Sequence, residues 1–423
     1  MFDLGDKVCL FHSLLLKKVF LDKSEWELIR DKGCNYGKTE LQRMGFLIES
    51  DAKDSELYEK AQSLVKLPFD LSTLFLVVTN RCNFACKYCF EESNLVKEYK
   101  DMSPEIADEV VTWFVRESRK SKKQRWIFFY GGEPLLNYPA IKRTYQTVNY
   151  LRQSGLASKI FFNITTNATL ITDEVIADAL ENETTFGISI DGYKTVHNLG
   201  RVFSDGSDSF DAVIGGLKKI KEAGCDYSCI VTVGKHNVEH LTDVVEFLIN
   251  LGVNTIAFNL LLDQPSGPNR MNAPADFIAD QLIAAYEILR EHGIREGRVT
   301  KQLSPLILEE IYRYECDGCG SQVVITPDVR VGPCTGFIGS DKYFVNWTPF
   351  FSLENPLFRE WTENCALTMP ACKSCPSIGI CGGGCHYNRI QRTGKINEPD
   401  PVFCVYANKV LEWAIKDLVK CVK

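Results

Sequence analysis

No apolar run reaches the about 18 residues that a membrane-crossing helix needs, so the sequence offers no transmembrane span. The start, MFDLGDKVCLFHS, lacks the basic stretch and apolar core of a secretory signal, and the expected compartment is the cytoplasm. Positive charge is not in excess either. A net charge of −7 gives no general attraction to nucleic acid or to an anionic membrane, so neither is expected as a partner. The one short basic run, Arg119, Lys120, Lys122, Lys123 and Arg125, reads as a solvated helix end. Internal repeats and low-complexity tracts are also missing, which excludes solenoid architectures. What is left, 423 residues of which 45% are hydrophobic and 24% charged, is the profile of a globular enzyme of two or three domains.

Cysteine is abundant and unevenly spread. Three of the 17 lie at 82, 86 and 89, and nine (316, 319, 334, 365, 372, 375, 381, 385 and 404) crowd the last third. In a reducing compartment, clustered cysteines at short spacing are read as metal ligands rather than disulfides. Cys9, Cys34, Cys225, Cys229 and Cys421 stand apart and read as plain thiols, and Cys365 as a spare one on a helix face.

From about residue 71 to 262, β-rich apolar runs (LSTLFLVVTN, QRWIFFYGG, KIFFNITTN, TTFGISIDG, YSCIVTVG, NTIAFNLLL) alternate with amphipathic segments. Such alternation argues for βα units around a parallel sheet. Six units are too few for a closed eight-stranded barrel. The expected fold is therefore α/β, a partial (β/α)6 TIM-like barrel over residues 71–309 with function at the C-terminal ends of its strands. Residues 1–70 differ: two strand candidates, KVCLFHS and KKVFLDK, precede the helical SEWELIRDK and KTELQRMGF and the charged SELYEKAQSLVK, in the manner of a winged-helix-like module. After residue 263 a turn-rich stretch, DQPSGPNRMNAP, leads to helices expected at 277–292 and 304–314 and then to a cysteine-dense region, 310–423.

The segment TNRCNFACKYCFE sets Cys82, Cys86 and Cys89 in a C-x3-C-x2-C array just after the first strong strand. Three thiolates leave one iron of a four-iron cluster without a protein ligand, open to chelation. A partial zinc site is the other reading, but no His or fourth Cys lies within the loop. With Tyr88 just before the third cysteine, the array resembles the signature of the radical S-adenosylmethionine (SAM) superfamily. Gly131-Gly132-Glu133-Pro134, at the end of the second strand, resembles that family's GGEP motif. Glycines allow close backbone approach, and the Glu133 carboxylate could accept a charge-assisted hydrogen bond from the SAM ammonium.

The resemblance implies further SAM contacts. Thr166 and Asn167 close the third strand, and Ser189 and Asp191 the fourth; Arg201 resembles an Arg that meets the SAM carboxylate, and turn or cap roles are the other reading for the polar four. Thr232 and Val233 could line the adenine, although strand packing is the simpler role. Similar enzymes bind SAM to the open iron, and one electron from the reduced cluster releases methionine and a 5′-deoxyadenosyl radical that abstracts a substrate hydrogen. The resemblance also implies an external reductant such as flavodoxin or ferredoxin.

The tail carries C-x2-C-x5-C-x3-C at Cys372, Cys375, Cys381 and Cys385, then Cys404, with Cys316, Cys319 and Cys334 upstream. Paired zinc knuckles could use such spacings. The array is similar to the SPASM extension of some radical SAM enzymes, which holds two auxiliary [4Fe-4S] clusters and would raise the total to three. That resemblance assigns Cys316, Cys319, Cys334 and Cys385 to auxiliary cluster I, and Cys372, Cys375, Cys381 and Cys404 to auxiliary cluster II. Val329 stands where the pattern expects Gly, so the local turn is expected to differ and an open iron at cluster I stays possible.

SPASM enzymes resembling this chain act mostly on peptides or proteins. Anaerobic sulfatase maturases, which make formylglycine, carry Asp after the cysteine equivalent to Cys334, where this chain has Thr335, and lack a module as long as the about 80 residues before Cys82. Maturases of ribosomally made peptides form thioether or other cross-links, and many bind a precursor's leader segment through an N-terminal recognition element. The resemblance therefore implies a precursor peptide as partner, delivered by strand addition to residues 1–70. A small-molecule radical SAM dehydrogenase is a further alternative. The acidic run Glu49, Asp51, Asp54, Glu56 and Glu59 argues against DNA as a partner of that module.

Overall fold

The computed structural model describes residues 1–32, 38–47, 51–66, 69–89, 98–262 and 271–421. The N-terminal segment forms strands β1 (Phe2–Asp3), β2 (Lys7–Phe11) and β3 (Lys18–Asp22), followed by helices α1 (Lys23–Lys32), α2 (Lys38–Met44) and α3 (Asp51–Ser63). The sequence offers two strands here; the third, two residues long, is too short to show periodicity. The three strands make an antiparallel sheet in chain order, with β3 at its edge.

The central sheet begins with β4 (Thr73–Thr79). Its TLFLVVT run is β-branched and aromatic and is buried on both faces, as a strand inside a parallel sheet must be. Helix α4 (Pro104–Glu117) starts where the Ser103 hydroxyl accepts the Ile106 amide at 3.2 Å and Pro104 opens the first turn. It buries Val110, Val111, Trp113 and Phe114 on the sheet, side chains worth roughly 1.5–3 kcal/mol each. The alternation continues through β5 (Arg125–Gly131), α5 (Tyr138–Gln153), β6 (Ile160–Thr166), α6 (Asp173–Glu181), β7 (Thr184–Ser189), α7 (Lys194–Gly200) and α8 (Phe210–Glu222). Next come β8 (Tyr227–Val233), α9 (Leu241–Asn250) and β9 (Thr255–Leu260).

These six strands lie side by side and parallel, in chain order. Two short strands extend the parallel set: β10 (Arg295–Glu296) beside β9, and β11 (Gln322–Ile325) beside β4. The antiparallel β12 (Arg330–Gly332) and β13 (Val345–Asn346) complete a ten-stranded sheet whose two edges do not pair with each other. The fold is thus α/β with an open, parallel-sheet core. Because β11 comes from the cysteine-rich region, that region is joined to the sheet by backbone hydrogen bonds.

Helix α10 (Ala275–Glu291) falls where a helix is expected, but its partner is α11 (Arg298–Leu308), not 304–314. The Glu296 carboxylate accepts the amides of Arg298 and Val299, which starts the helix six residues early, and Glu309 at φ 55° ends it. Most of the turn-rich stretch, 263–270, lies outside the described residues. The cysteine-rich region adds α12 (Pro356–Glu363), α13 (His386–Thr393) and α14 (Pro401–Cys421), the last packed along α10.

Between β11 and β12, Val329 has φ 60°, the left-handed conformation a glycine would take. The turn thus takes a left-handed residue without a glycine. Valine holds it, with its amide donating to the Thr326 carbonyl at 2.9 Å.

The N-terminal segment sits on the cysteine-rich region. Leu16 is fully buried with Leu306, Ile380, Leu411 and Ile415, and the Tyr58 hydroxyl and Gln62 amide on α3 donate to the Leu367 carbonyl at 2.9 and 3.0 Å.

Candidate active site

The Cys82–Cys89 loop leaves the C-terminal end of β4. It is laced to the segment after α7, where the Ala85 amide donates to Val202, Lys87 to Gly200, and the Ser204 amide back to Asn83. On the other side it meets the glycine pair. A Cβ on Gly131 would lie 2.1 Å from the Thr79 carbonyl oxygen, and one on Gly132 would lie 2.3 Å from that of Arg81. What these glycines clear is the path of the cysteine loop itself, whose carbonyls accept the amides of Gly132 and Glu133 at 3.1 and 2.8 Å.

Glu133 is buried. Its Oε1 accepts the Thr166 hydroxyl at 2.7 Å and the Leu135 amide at 3.2 Å, and its Oε2 accepts the Asn167 amide at 2.8 Å. Burial raises its pKa to about 7 despite these three donors. The Asn167 side chain donates to Asn83 in the cysteine loop at 2.8 Å, and Asn83 donates to Thr169 at 2.9 Å. The ends of β5 and β6 and the cysteine loop are thereby tied together.

A second hub is Asp191, fully buried just beyond β7. It accepts the Tyr88 hydroxyl, the Thr232 amide at 3.0 Å and His236 Nε2 at 3.1 Å, and it pairs with Arg201 at 3.1 Å. Burial would raise its pKa, but Arg201 and His236 outweigh that and hold it below the usual range. Tyr88 stacks on His236 with ring centroids 5.1 Å apart, and the Arg201 guanidinium lies 5.4 Å from the Tyr88 ring. Arg201 is buried. Three of the residues singled out in the sequence, Tyr88, Asp191 and Arg201, thus form one cluster, and Glu133, Thr166 and Asn167 another. Ser189 ends β7 half-buried, and Thr232 bridges by accepting Arg201 at 3.3 Å while Val233 is core.

Cys82 is exposed and Cys86 and Cys89 are half-buried. Crowding by the protein, then the charges of Glu133 and the other two cysteines, push the Cys82 thiol up to about 12. In the C-terminal region, Cys316, Cys319, Cys334 and Cys385 lie within one another's electrostatic reach, each raised chiefly by burial. Cys372, Cys381 and Cys404 are likewise raised chiefly by burial, and Cys375 lies within electrostatic reach of all three. The chain passes between the sets through Gly382-Gly383-Gly384, at φ 58°, 91° and 76°. Three successive left-handed residues are a path that only glycine takes readily.

Among the described residues, no three or more of these side chains converge as the first shell of a single ion. Zinc would hold its thiolates at about 2.3 Å, whereas a four-iron cluster would spread them over four metals. All the thiols would have to lose a proton on loading, so uptake should be pH-dependent.

Sequence reasoning missed His236, Asn83 and Arg389. His236 had a usable signal, since it follows a strand at the functional end of the sheet. Arg389 had none.

Residues 76–248 match the model of the Radical SAM superfamily. An uncharacterised protein of Methanocaldococcus jannaschii is 32% identical over 188 residues, 44% of this chain and 62% of that protein, so the match spans under two thirds of it. The radical SAM cyclopropyl synthase TigE of Paramaledivibacter caminithermalis is 26% identical over 90% of this chain and 82% of its own length. A cysteine-type anaerobic sulfatase-maturating enzyme of Clostridium perfringens is 24% identical over 82% and 97%. Among solved structures, anSMEcpe with bound AdoMet and Cp18Cys peptide superposes with TM-score 0.71 at 21% identity, covering 83% of this chain and 98% of that one. Streptococcus suis SuiB bound to precursor peptide SuiA gives TM-score 0.59 at 16% identity, covering 94% and 96%. Residues 76–248 thus carry a radical SAM domain, of a superfamily whose chemistry rests on a [4Fe-4S] cluster and SAM, and the chain is similar over most of its length to radical SAM maturases.

Proposed function

We propose that this enzyme is a radical SAM peptide maturase that removes a hydrogen from a ribosomally made precursor peptide and forms a thioether or other cross-link. Cys82, Cys86 and Cys89 would hold the SAM-binding cluster. Cys316, Cys319, Cys334 and Cys385 would hold auxiliary cluster I, and Cys372, Cys375, Cys381 and Cys404 auxiliary cluster II, in a SPASM region spanning 310–423. When bound, the reduced cluster and SAM supply one-electron cleavage and hence hydrogen-atom abstraction.

The chain's own residues would do the rest. Glu133 offers a buried carboxylate to the SAM ammonium while Thr166 and Asn167 fix its orientation. Asp191 orients Tyr88 from the cysteine loop and Arg201, whose charge suits the SAM carboxylate. Gly131 and Gly132 seat the loop against β5, and Ser189 stands at the adjacent strand end. An external reductant such as flavodoxin or ferredoxin would supply the electron.

The observation that carries the peptide reading is the N-terminal segment, residues 1–70, in front of the 71–309 partial barrel. It presents an edge strand, β3, and is anchored on the C-terminal cysteine-rich region. An extended leader adding to that edge would be held beside the barrel. The relatives weigh the same way: the TigE and SuiB matches cover 90% and 94% of this chain, whereas the sulfatase-maturase matches cover 82% and 83%. Formylglycine formation is the second reading, favoured by the higher TM-score of anSMEcpe and disfavoured by Thr335.

Co-expression with a short peptide encoded in the neighbouring reading frame, followed by mass spectrometry, tests the proposal. A cross-link appears as the loss of two hydrogens. An unchanged peptide, with oxidation instead of a cysteine or serine in a sulfatase-derived peptide, would transfer the assignment to the second reading. Hydrogen exchange tests the leader site: the leader fragment should protect Lys18–Asp22, and protection confined to other segments would remove the strand-addition model.

A further inference from the structure

Arg389, on α13, is fully buried, and among the described residues it forms no ion pair. Its guanidinium donates only to neutral carbonyls: Nε to Gly383 at 2.9 Å, Nη1 to Asn364 at 3.0 Å and to Ile396 at 3.2 Å, and Nη2 to Gly383. Asp400, also buried, spends its Oδ1 on the amides of Val402 and Phe403 at the start of α14. Asp400 lies within electrostatic reach of Arg389 without pairing with it, so this buried cation calls for further negative charge nearby.

The position of Arg389 says where that charge belongs. The residue clamps Gly383, the middle of the glycine run that joins Cys381 of one quartet to Cys385 of the other; a Cβ there would lie 2.3 Å from Nη2. Cys381 of the second quartet lies two residues before Gly383 and Cys385 of the first lies two after it, and the Arg389 amide donates to the Cys385 carbonyl at 3.0 Å, so the guanidinium stands at the junction of the two sets. Cys365 is fully buried, and its backbone abuts the same glycine, where a Cβ would lie 3.3 Å from the Cys365 carbonyl carbon. Cys365 therefore lies beyond the end of α12, against this glycine run, rather than on a helix face.

We propose that Arg389 is the shared counter-cation of the two auxiliary clusters, a buried positive charge between them that offsets the net negative charge of each thiolate-ligated cluster and holds both reduction potentials up together. This rests on the reading that both quartets carry four-iron clusters. Net charge and burial are among the factors that set such potentials. One guanidinium serving both quartets makes the two potentials covary, which a residue belonging to a single cluster would not do.

The test uses full-length chain with Cys82, Cys86 and Cys89 replaced by Ala, reconstituted anaerobically, so that only the auxiliary clusters report. Failure of this parent to bind about eight irons would sink the two-cluster reading itself, before any Arg389 variant is made. In that parent, Arg389→Met and Arg389→Lys are compared by iron content and by redox titration followed by electron paramagnetic resonance. Arg389→Met should lower both potentials, each by at least a tenfold change in the one-electron equilibrium, which is 59 mV. Arg389→Lys, which keeps the charge but not the three-carbonyl fork, should stay within about threefold of the parent. Unmoved potentials at full iron content, or movement of one cluster alone, would overturn the proposal. If Arg389→Met loads too little iron to titrate, loading by Arg389→Lys decides: full loading supports the charge, and equal failure of both variants shows that the carbonyl fork matters instead.

Discussion

In the proposed SAM site, folding and SAM binding would make opposite demands on Glu133, and pH separates them. Burial sets the Glu133 pKa at about 7 in the fold, against 4.5 ordinarily, a difference worth about 3 kcal/mol. The pKa is raised, so the stabilising contribution is full below 4.5 and is lost as pH climbs through 7. Between pH 5 and 7.5 the protein should lose roughly 2–3 kcal/mol of stability that Glu133→Gln does not lose, read as the difference in the pH slopes of anaerobic denaturant curves. Comparing slopes cancels the fixed cost of setting a Gln amide against the Asn167 N–H. SAM binding should run the other way. Only the ionised carboxylate attracts the ammonium, so SAM affinity should rise roughly tenfold between pH 6 and 7.5 and stay weak and flat in Glu133→Gln. A wild-type affinity independent of pH, or a Gln variant binding SAM as the wild type does, would refute the role and leave Glu133 as a brace for the end of β6.

Other consequences are checked more simply. Gly383→Ala places a methyl group against Arg389 and the Ala366 amide at φ 91°, and should cost about 2–5 kcal/mol and deplete iron from both quartets, seen by metal analysis. Val329→Gly relieves a left-handed β-branched residue and should leave the melting temperature unchanged or raised, by no more than about 1 kcal/mol after the entropy cost of glycine. Deleting residues 1–66 strips Leu16, Tyr58 and Gln62 from the cysteine-rich region, so iron should fall along with peptide processing. Asp191→Asn should loosen Tyr88 and Arg201 together and weaken SAM binding, while the C-terminal quartets keep their iron.

The parallel core was readable because β4–β9 are long, β-branched runs buried in sequence-continuous blocks, with amphipathic helices between them. Strands of two to four residues, such as β10 and β11, are too short to carry a period and exist because a neighbouring strand offers hydrogen bonds. The start of α11 was misplaced for a similar reason. Ser304-Pro305 looks like a helix start, yet the true one is made by the Glu296 carboxylate, held in place by tertiary packing. At the site, the family resemblance singled out Tyr88, Glu133, Asp191 and Arg201, but not that they assemble as two separate hubs. His236 joins one hub through space, and Arg389 meets both quartets only after the chain has folded back on itself.

The central claim is that Cys82, Cys86 and Cys89 serve a SAM-cleaving site distinct from the C-terminal quartets. Its most direct test is the yield of 5′-deoxyadenosine from anaerobically reconstituted, chemically reduced protein, measured with iron content on the same samples. Wild type should form 5′-deoxyadenosine and hold about twelve irons, and the variant with all three cysteines changed to Ala should form none and hold about eight. No 5′-deoxyadenosine from fully loaded wild type, or undiminished yield from the variant, would contradict it.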